Sequence, residues 1–250
     1  MNTAAAAWKL RRAEEEATLL LRAALKLDPS VVDRFPRPLE DILAACLPSL
    51  LVYRRENLSQ VVVRNVLWDQ HSIIYGEDGD CPLAGFTYAG GNLVIVFLET
   101  RHGKDFELFT LAHEAGHIAI EYLPKLQARN QLTLFGESAT PISAYFHRGL
   151  PEDLLAGRVD HAKTMSSVKM SLDARQASGD AWLREVKANA CAAELLAPAS
   201  AVRERLRSIQ GDADRVAAMR QSFGLSRSAA QIRLRELGLL ADDTTLGLFD

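Results

Sequence analysis

The chain has 250 residues, of which 48% are apolar and 24% charged, a composition that supports a buried core and excludes a disordered or low-complexity protein. Its net charge of −3 gives no general attraction to nucleic acid or to anionic membrane, so any such contact has to come from a local patch. Three cysteines, Cys46, Cys81 and Cys191, are odd in number and far apart, which suits a reducing compartment better than a disulfide scaffold.

In chain order, Ala4 to Leu27 is rich in Ala, Leu, Glu and Arg, with Leu10, Ala13, Ala17, Leu20 and Leu21 at helical spacing before Asp28-Pro29, and predicts a helix. A shorter helix is expected through Leu39, Ile42, Leu43 and Cys46, with Pro38 at its first position and Pro48 beyond its end. The runs Leu51-Val52-Tyr53, Val61-Val62-Val63 and Ile73-Ile74-Tyr75 then read as three strands. Leu83 to Tyr88 and Leu93 to Leu98 read as a hairpin whose turn uses Gly90-Gly91 for positive φ. No run approaches the roughly 20 apolar residues of a membrane span, and no apolar stretch follows an initial cluster of charges as in a secretory leader; the expectation is a cytoplasmic protein with no membrane partner.

Asp105 is the expected N-cap of a helix through Phe106, Phe109, Ala112, Ala115, Ala119 and Tyr122, with Pro124 beyond its end. From about 123 to 180 the periodicity weakens and the chain reads as an insertion. A further helix, capped by Asp180, runs through Trp182, Val186, Ala190, Ala193 and Leu196 to Pro198; Asp212 to Leu240 reads as two helices broken at Phe223-Gly224-Leu225-Ser226. The fold class expected is α+β, with an N-terminal helical region (1–49), a core (50–204) containing the insertion, and a C-terminal helical, helix-turn-helix-like segment (205–250).

The chemistry concentrates in His113-Glu114-Ala115-Gly116-His117. Residues four apart share a helix face, so His113 and His117 can direct imidazole nitrogens at one zinc ion, with Glu114 beside the open coordination position as general base. The five-residue pattern is short, and its weight comes from its place in an amphipathic helix with small neighbours. Gly116 costs that helix about 1 kcal/mol relative to alanine, which suggests close backbone packing near the site. A catalytic zinc needs a third protein ligand. The best-placed candidate is Glu185, four residues before Asn189 on the helix after the insertion, where Asn189 can orient a ligand by a hydrogen bond.

The blocks Phe109-Thr110-Leu111-Ala112-His113-Glu114-Ala115-Gly116-His117 and Glu185-Val186-Lys187-Ala188-Asn189-Ala190-Cys191-Ala192-Ala193-Glu194-Leu195-Leu196-Ala197-Pro198 together resemble the ImmA/IrrE metallopeptidases. The resemblance continues into Met219 to Ser226 and Ile232 to Leu240. It implies a zincin-like metallopeptidase core, a small twisted sheet plus an active-site helix. It implies one zinc ion on His113, His117 and Glu185, with Glu114 catalytic. It also implies site-limited cleavage of a protein substrate, often a helix-turn-helix repressor controlling stress or mobile-element genes. Cys191, Ala197 and the long stretch between the blocks depart from the usual pattern.

Further candidates rest on side-chain chemistry alone. Tyr145, His147 and His161 are candidate oxyanion donors, and Cys81, in Asp78-Gly79-Asp80-Cys81-Pro82, is a candidate regulatory thiol that could cap the zinc. An extended substrate could add to an edge of the sheet, with the strand Leu93 to Leu98 the nearest in sequence. The rival expectation is a DNA- or regulator-binding module using Arg227, Arg233 and Arg235 on phosphates, with a structural or latent zinc site. Nucleic acid could also be the activating signal.

Overall fold

The computed structural model describes residues 3–75, 80–90, 92–134, 145–148 and 178–240. Helix α1 (Thr3–Leu27) buries Ala13, Ala17, Leu20 and Ala24 along one stripe and packs on α2 (Leu39–Cys46), where the Cys46 thiol donates to Leu20 O at 2.8 Å. Pro38 sits at the N-cap of α2, one position earlier than expected. Strand β1 (Ser49–Arg55) follows.

The Val61-Val62-Val63 run is helical, contrary to its β-branched composition. It lies in α3 (Gln60–His71), where Ser59 Oγ accepts from Val62 N at 3.5 Å and Gln60, Val63 and Leu67 form the buried face. An N-cap and an apolar 3–4 spacing outweigh the residues' intrinsic preference. Ile73 to Tyr75, expected as a strand, has no regular structure.

The hairpin is present as β2 (Gly85–Gly90) and β3 (Leu93–Glu99), antiparallel with Thr87 opposite Val96. Gly90 does not have the positive φ expected of it, and Gly91 lies outside the described residues. The mixed sheet has the order β1-β3-β2-β4, with β1 parallel to β3 and the short β4 (Tyr145–Arg148) antiparallel to β2. β3 is therefore flanked on both sides and offers no edge to a substrate; among the described residues the edge strands are β1 and β4.

Alternation along β3 divides the core in two. Val94, Val96 and Leu98 join the large cluster of α1, α2, α4 and the C-terminal helices, while Ile95 and Phe97 join Leu58, Val63, Leu67, Tyr75 and Phe86 on the α3 side. A period of two thus lets one strand serve two layers.

Helix α4 (Lys104–His117) starts from Gly103, so Asp105 lies in its first turn, where its Oδ1 accepts from Phe106 N at 3.0 Å. The helical path does not stop before Pro124. It widens into a π-turn (Ile118–Tyr122), in which Leu123 N–H reaches Ile118 O, and continues as α5 (Leu123–Leu134). Pro124 has no N–H for the Ile120 carbonyl, so an α-ladder would be interrupted there in any case.

Helix α6 (Ser178–Leu196) begins two residues before the expected cap Asp180 and is followed by α7 (Ala199–Arg205), α8 (Asp212–Phe223) and α9 (Arg227–Glu236). The break between α8 and α9 falls at Gly224 and at Ser226, whose Oγ accepts from Ala229 N at 3.1 Å. Residues of α1, α2, α4, α6, α8 and α9 share one apolar cluster, so the N-terminal helices, the sheet and the C-terminal helices meet in a common core. Among the described residues no helix is long and apolar enough to cross a membrane.

Candidate metal centre

The centre forms where α4 crosses α6. A Cβ on Gly116 would lie 2.7 Å from Ala188 O and 2.9 Å from Ala188 Cα, so only glycine lets the two backbones approach this closely. Ala188 lies between Glu185 and Asn189, and its contact with Gly116 sets both beside the motif histidines. The close packing anticipated from Gly116 is present.

Nε2 of His113 and Nε2 of His117 lie 3.2 Å apart. Glu185 reaches both, with Oε2 at 3.4 Å from His113 Nε2 and Oε1 at 3.7 Å from His117 Nε2. These three residues could hold a metal ion, each offering one ligand atom, with all three atoms within 4.8 Å of one another. The histidines are buried; Glu185 is 30% exposed and forms the wetter wall of the centre.

The second nitrogen of each ring is also engaged. His113 Nδ1 donates to Asn189 Oδ1 at 2.9 Å, and His117 Nδ1 donates to Glu121 Oε1 at 2.8 Å. Both oxygens are acceptors, so in neutral rings both Nε2 atoms carry lone pairs toward the same point. Two lone pairs 3.2 Å apart repel unless a cation or a proton lies between them. The pKa of His117 shows the same demand: burial lowers it, but hydrogen bonds to Glu121 and Glu185 more than reverse this and raise it to about 9.

Glu114 is fully buried. Its Oε2 accepts from Thr87 Oγ1 of β2 at 2.6 Å, while Oε1 has no hydrogen-bond partner among the described residues. A Cβ on Gly85 would lie 2.8 Å from that Oε1. The alternate positions Gly85 and Thr87 of β2 thus make space for one carboxylate oxygen and hold the other. Burial pushes the Glu114 carboxyl above its usual range, against the pull of His113, His117 and the Thr87 hydroxyl. A carboxylate so placed is a stronger base than one in water.

Glu185, His113, His117, Glu114 and Asn189 therefore come together as the sequence suggested. Cys81 does not join them: it is exposed and lies where its backbone carbonyl accepts from Gln60 N of α3 at 3.1 Å, and its sulfur is not among the clustered ligand atoms. The β4 ladder pairs Tyr145 with Ala89 and His147 with Thr87; His161 lies outside the described residues. Sequence reasoning missed Glu121, Thr87 and Gly85. Glu121 had a visible signal, four residues after His117 on the same helical path.

The C-terminal arginines separate into two kinds. Arg233 is buried: it pairs with Glu194 of α6, donates through Nε to Ala197 O at 3.0 Å and through Nη1 to Glu236 at 3.3 Å. It is a structural tie and is not free for a phosphate. Arg227 and Arg235, with Arg220 and Gln231, line an open groove of about 480 Å³ between α8 and α9.

No protein-family model matches the chain, and no curated protein matches its sequence.

Proposed function

We propose that the protein is a zinc-dependent peptidase of the ImmA/IrrE kind, with a zincin-like core and one zinc ion on His113, His117 and Glu185. The observation that carries this reading is the convergence of both Nε2 atoms and the Glu185 carboxylate beside a buried Glu114. Ligands about 2.0–2.1 Å from a tetrahedral ion stand about 3.3–3.4 Å apart; the two Nε2 atoms are 3.2 Å apart, the two Glu185 oxygens lie 3.4 Å and 3.7 Å from one Nε2 each, and one atom from each residue falls within 4.8 Å of the others. Two imidazoles and a carboxylate are a usual donor set for catalytic zinc, with one position left for water.

When bound, the ion supplies the positive charge that acidifies a water and polarises a substrate carbonyl. The chain's own part is the handling of protons and the exclusion of solvent. Glu114 Oε1, without a hydrogen-bond partner among the described residues, is the atom that would take a proton, and Thr87 keeps the carboxylate from rotating. The same oxygen later delivers that proton to the leaving amine. The proposed substrate is a protein cleaved at a limited site, with a transcriptional repressor of the helix-turn-helix type the preferred candidate, and the proposed setting is the cytoplasm.

The test is to treat a cell extract with zinc-loaded protein and map new protein N-termini by mass spectrometry, with Glu114→Gln as control. Cleavages confined to the wild-type chain are expected, and equal cleavage by both would refute the reading. A second reading, nucleic-acid or regulator binding through the C-terminal helices with a structural or latent zinc site, rests on the arginine-lined groove. Duplex binding that weakens with salt and disappears in Arg227→Glu/Arg235→Glu would favour it.

A further inference from the structure

We infer that Glu121 is a positioning residue of the metal centre, one that fixes the His117 ring and strengthens it as a ligand, and that this makes the two histidines unequal. The inference rests on the metal reading above. His113 donates its Nδ1–H to a neutral amide, Asn189, whereas His117 donates to an anion, Glu121 Oε1, at 2.8 Å. A hydrogen bond to a carboxylate is about twice as strong as one to a neutral acceptor and raises the basicity of the opposite nitrogen. His117 Nε2 is thereby the better donor of the pair.

Three features separate this arrangement from an ordinary surface ion pair. Glu121 is only 18% exposed, and its closest ionic contact is the buried imidazole. Its other oxygen meets Arg184 at the long distance of 3.8 Å, on a side chain that is 48% exposed; such a pair contributes little by itself. Glu121 also sits inside the π-turn, the local widening between α4 and α5, a deviation that recurs at functional sites.

Charge balance points the same way. Glu114, Glu121 and Glu185 bring three carboxylates to the two rings, and Arg184 brings one guanidinium. Among the described residues, and with both rings neutral as metal ligands are, this ionised set is two charges negative, which one divalent ion neutralises.

The experiment measures zinc affinity of the full chain by competition with a chromophoric chelator, in wild type, Glu121→Ala, Glu121→Gln and Arg184→Ala. One equivalent in wild type is the precondition; a wild-type chain that binds no zinc refutes the metal reading itself. With zinc bound, Glu121→Ala is expected to weaken affinity by about 10–100-fold at unchanged stoichiometry, and Glu121→Gln, which keeps an acceptor but not the charge, to recover part of the loss. Arg184→Ala is expected to change affinity by less than about threefold, in keeping with an exposed pair. The His117 Nδ1–H proton signal of the metal-free protein should vanish in Glu121→Ala and persist in Glu121→Gln. Wild-type affinity in Glu121→Ala overturns the inference while leaving the metal reading intact. Equal losses in Glu121→Ala and Glu121→Gln that match a loss of metal-free stability also overturn it.

Discussion

Helix α6 carries two ionic clusters, one near its middle and one near its C-terminal end, and the two are built on opposite terms. Near its C-terminal end Glu194 meets Arg233, both almost fully buried, and the remaining donors of the guanidinium reach Ala197 O and Glu236. Near its middle Glu185 and Asn189 face His113 and His117, where two ring nitrogens meet and a neighbouring carboxylate oxygen, Glu114 Oε1, lacks a hydrogen-bond partner among the described residues. One cluster is closed with the chain's own charges. The other brings two ring nitrogens and a carboxylate together where a proton or, on the proposed reading, a metal ion completes the set, so the way a cluster is satisfied says more here than its burial.

The largest expected effect breaks the closed cluster. Arg233→Met leaves Glu194 buried without its partner and should destabilise the protein by about 3–5 kcal/mol in denaturant unfolding. Arg233→Met/Glu194→Leu should restore most of that loss, since an apolar pair of similar volume avoids the desolvation penalty.

The open cluster should respond to metal instead of to partner removal. Zinc at a hundred times its dissociation constant should stabilise wild type by about 2.7 kcal/mol, read as a rise in Tm. His113→Ala/His117→Ala should abolish that rise. A comparable rise in Arg233→Met would confirm that the two clusters are energetically separate.

Gly116→Ala tests the crossing that assembles the open cluster. Its new methyl meets Ala188 backbone atoms, not a flexible side-chain end, so a loss of about 1–3 kcal/mol is expected, together with weaker zinc binding. Unchanged zinc affinity would show that the α4–α6 approach does not set the ligand geometry.

The smallest effect concerns a third, closed carboxylate. Glu99 accepts from Leu58 N, Thr100 N, Arg101 N and the Arg101 guanidinium. Burial opposes its ionisation, but the Arg101 hydrogen bonds, with that of Leu58, hold its pKa below the usual 4.5. Its stabilisation is therefore fully present above about pH 4.5 and is lost as pH falls through the lower folded-state value. Glu99→Gln should cost about 1–2 kcal/mol at neutral pH and flatten the acid limb of the stability curve.

Locally encoded features were legible in the sequence: the motif helix and the Glu185–Asn189 pair follow from helical spacing, the α8–α9 break from Gly224 and Ser226, and the β2–β3 hairpin from its two apolar runs, although not through the positive φ expected at Gly90. Features set by tertiary context were not. Val61-Val62-Val63 prefers a strand on composition, yet Ser59 and the stripe Gln60, Val63, Leu67 make it helical against the α3 face of the sheet. Pro124 reads as a stop, although the π-turn carries the helical path past it. Gly85 and Thr87 gain meaning only when β2 lies against Glu114. Arg233 reads as a phosphate contact until Glu194 is seen beside it. Glu121 was within reach of a simple i, i+4 argument from His117, and its role was hidden by reading the motif as five residues.

The most direct test of the central claim is the metal content of the purified full chain, measured by inductively coupled plasma mass spectrometry after zinc loading and gel filtration. About one zinc per chain is expected in wild type and in Glu114→Gln, with less than about a tenth retained in His113→Ala/His117→Ala and a marked loss in Glu185→Ala. Zinc absent from wild type, or retained equally by the double histidine variant, would contradict the account.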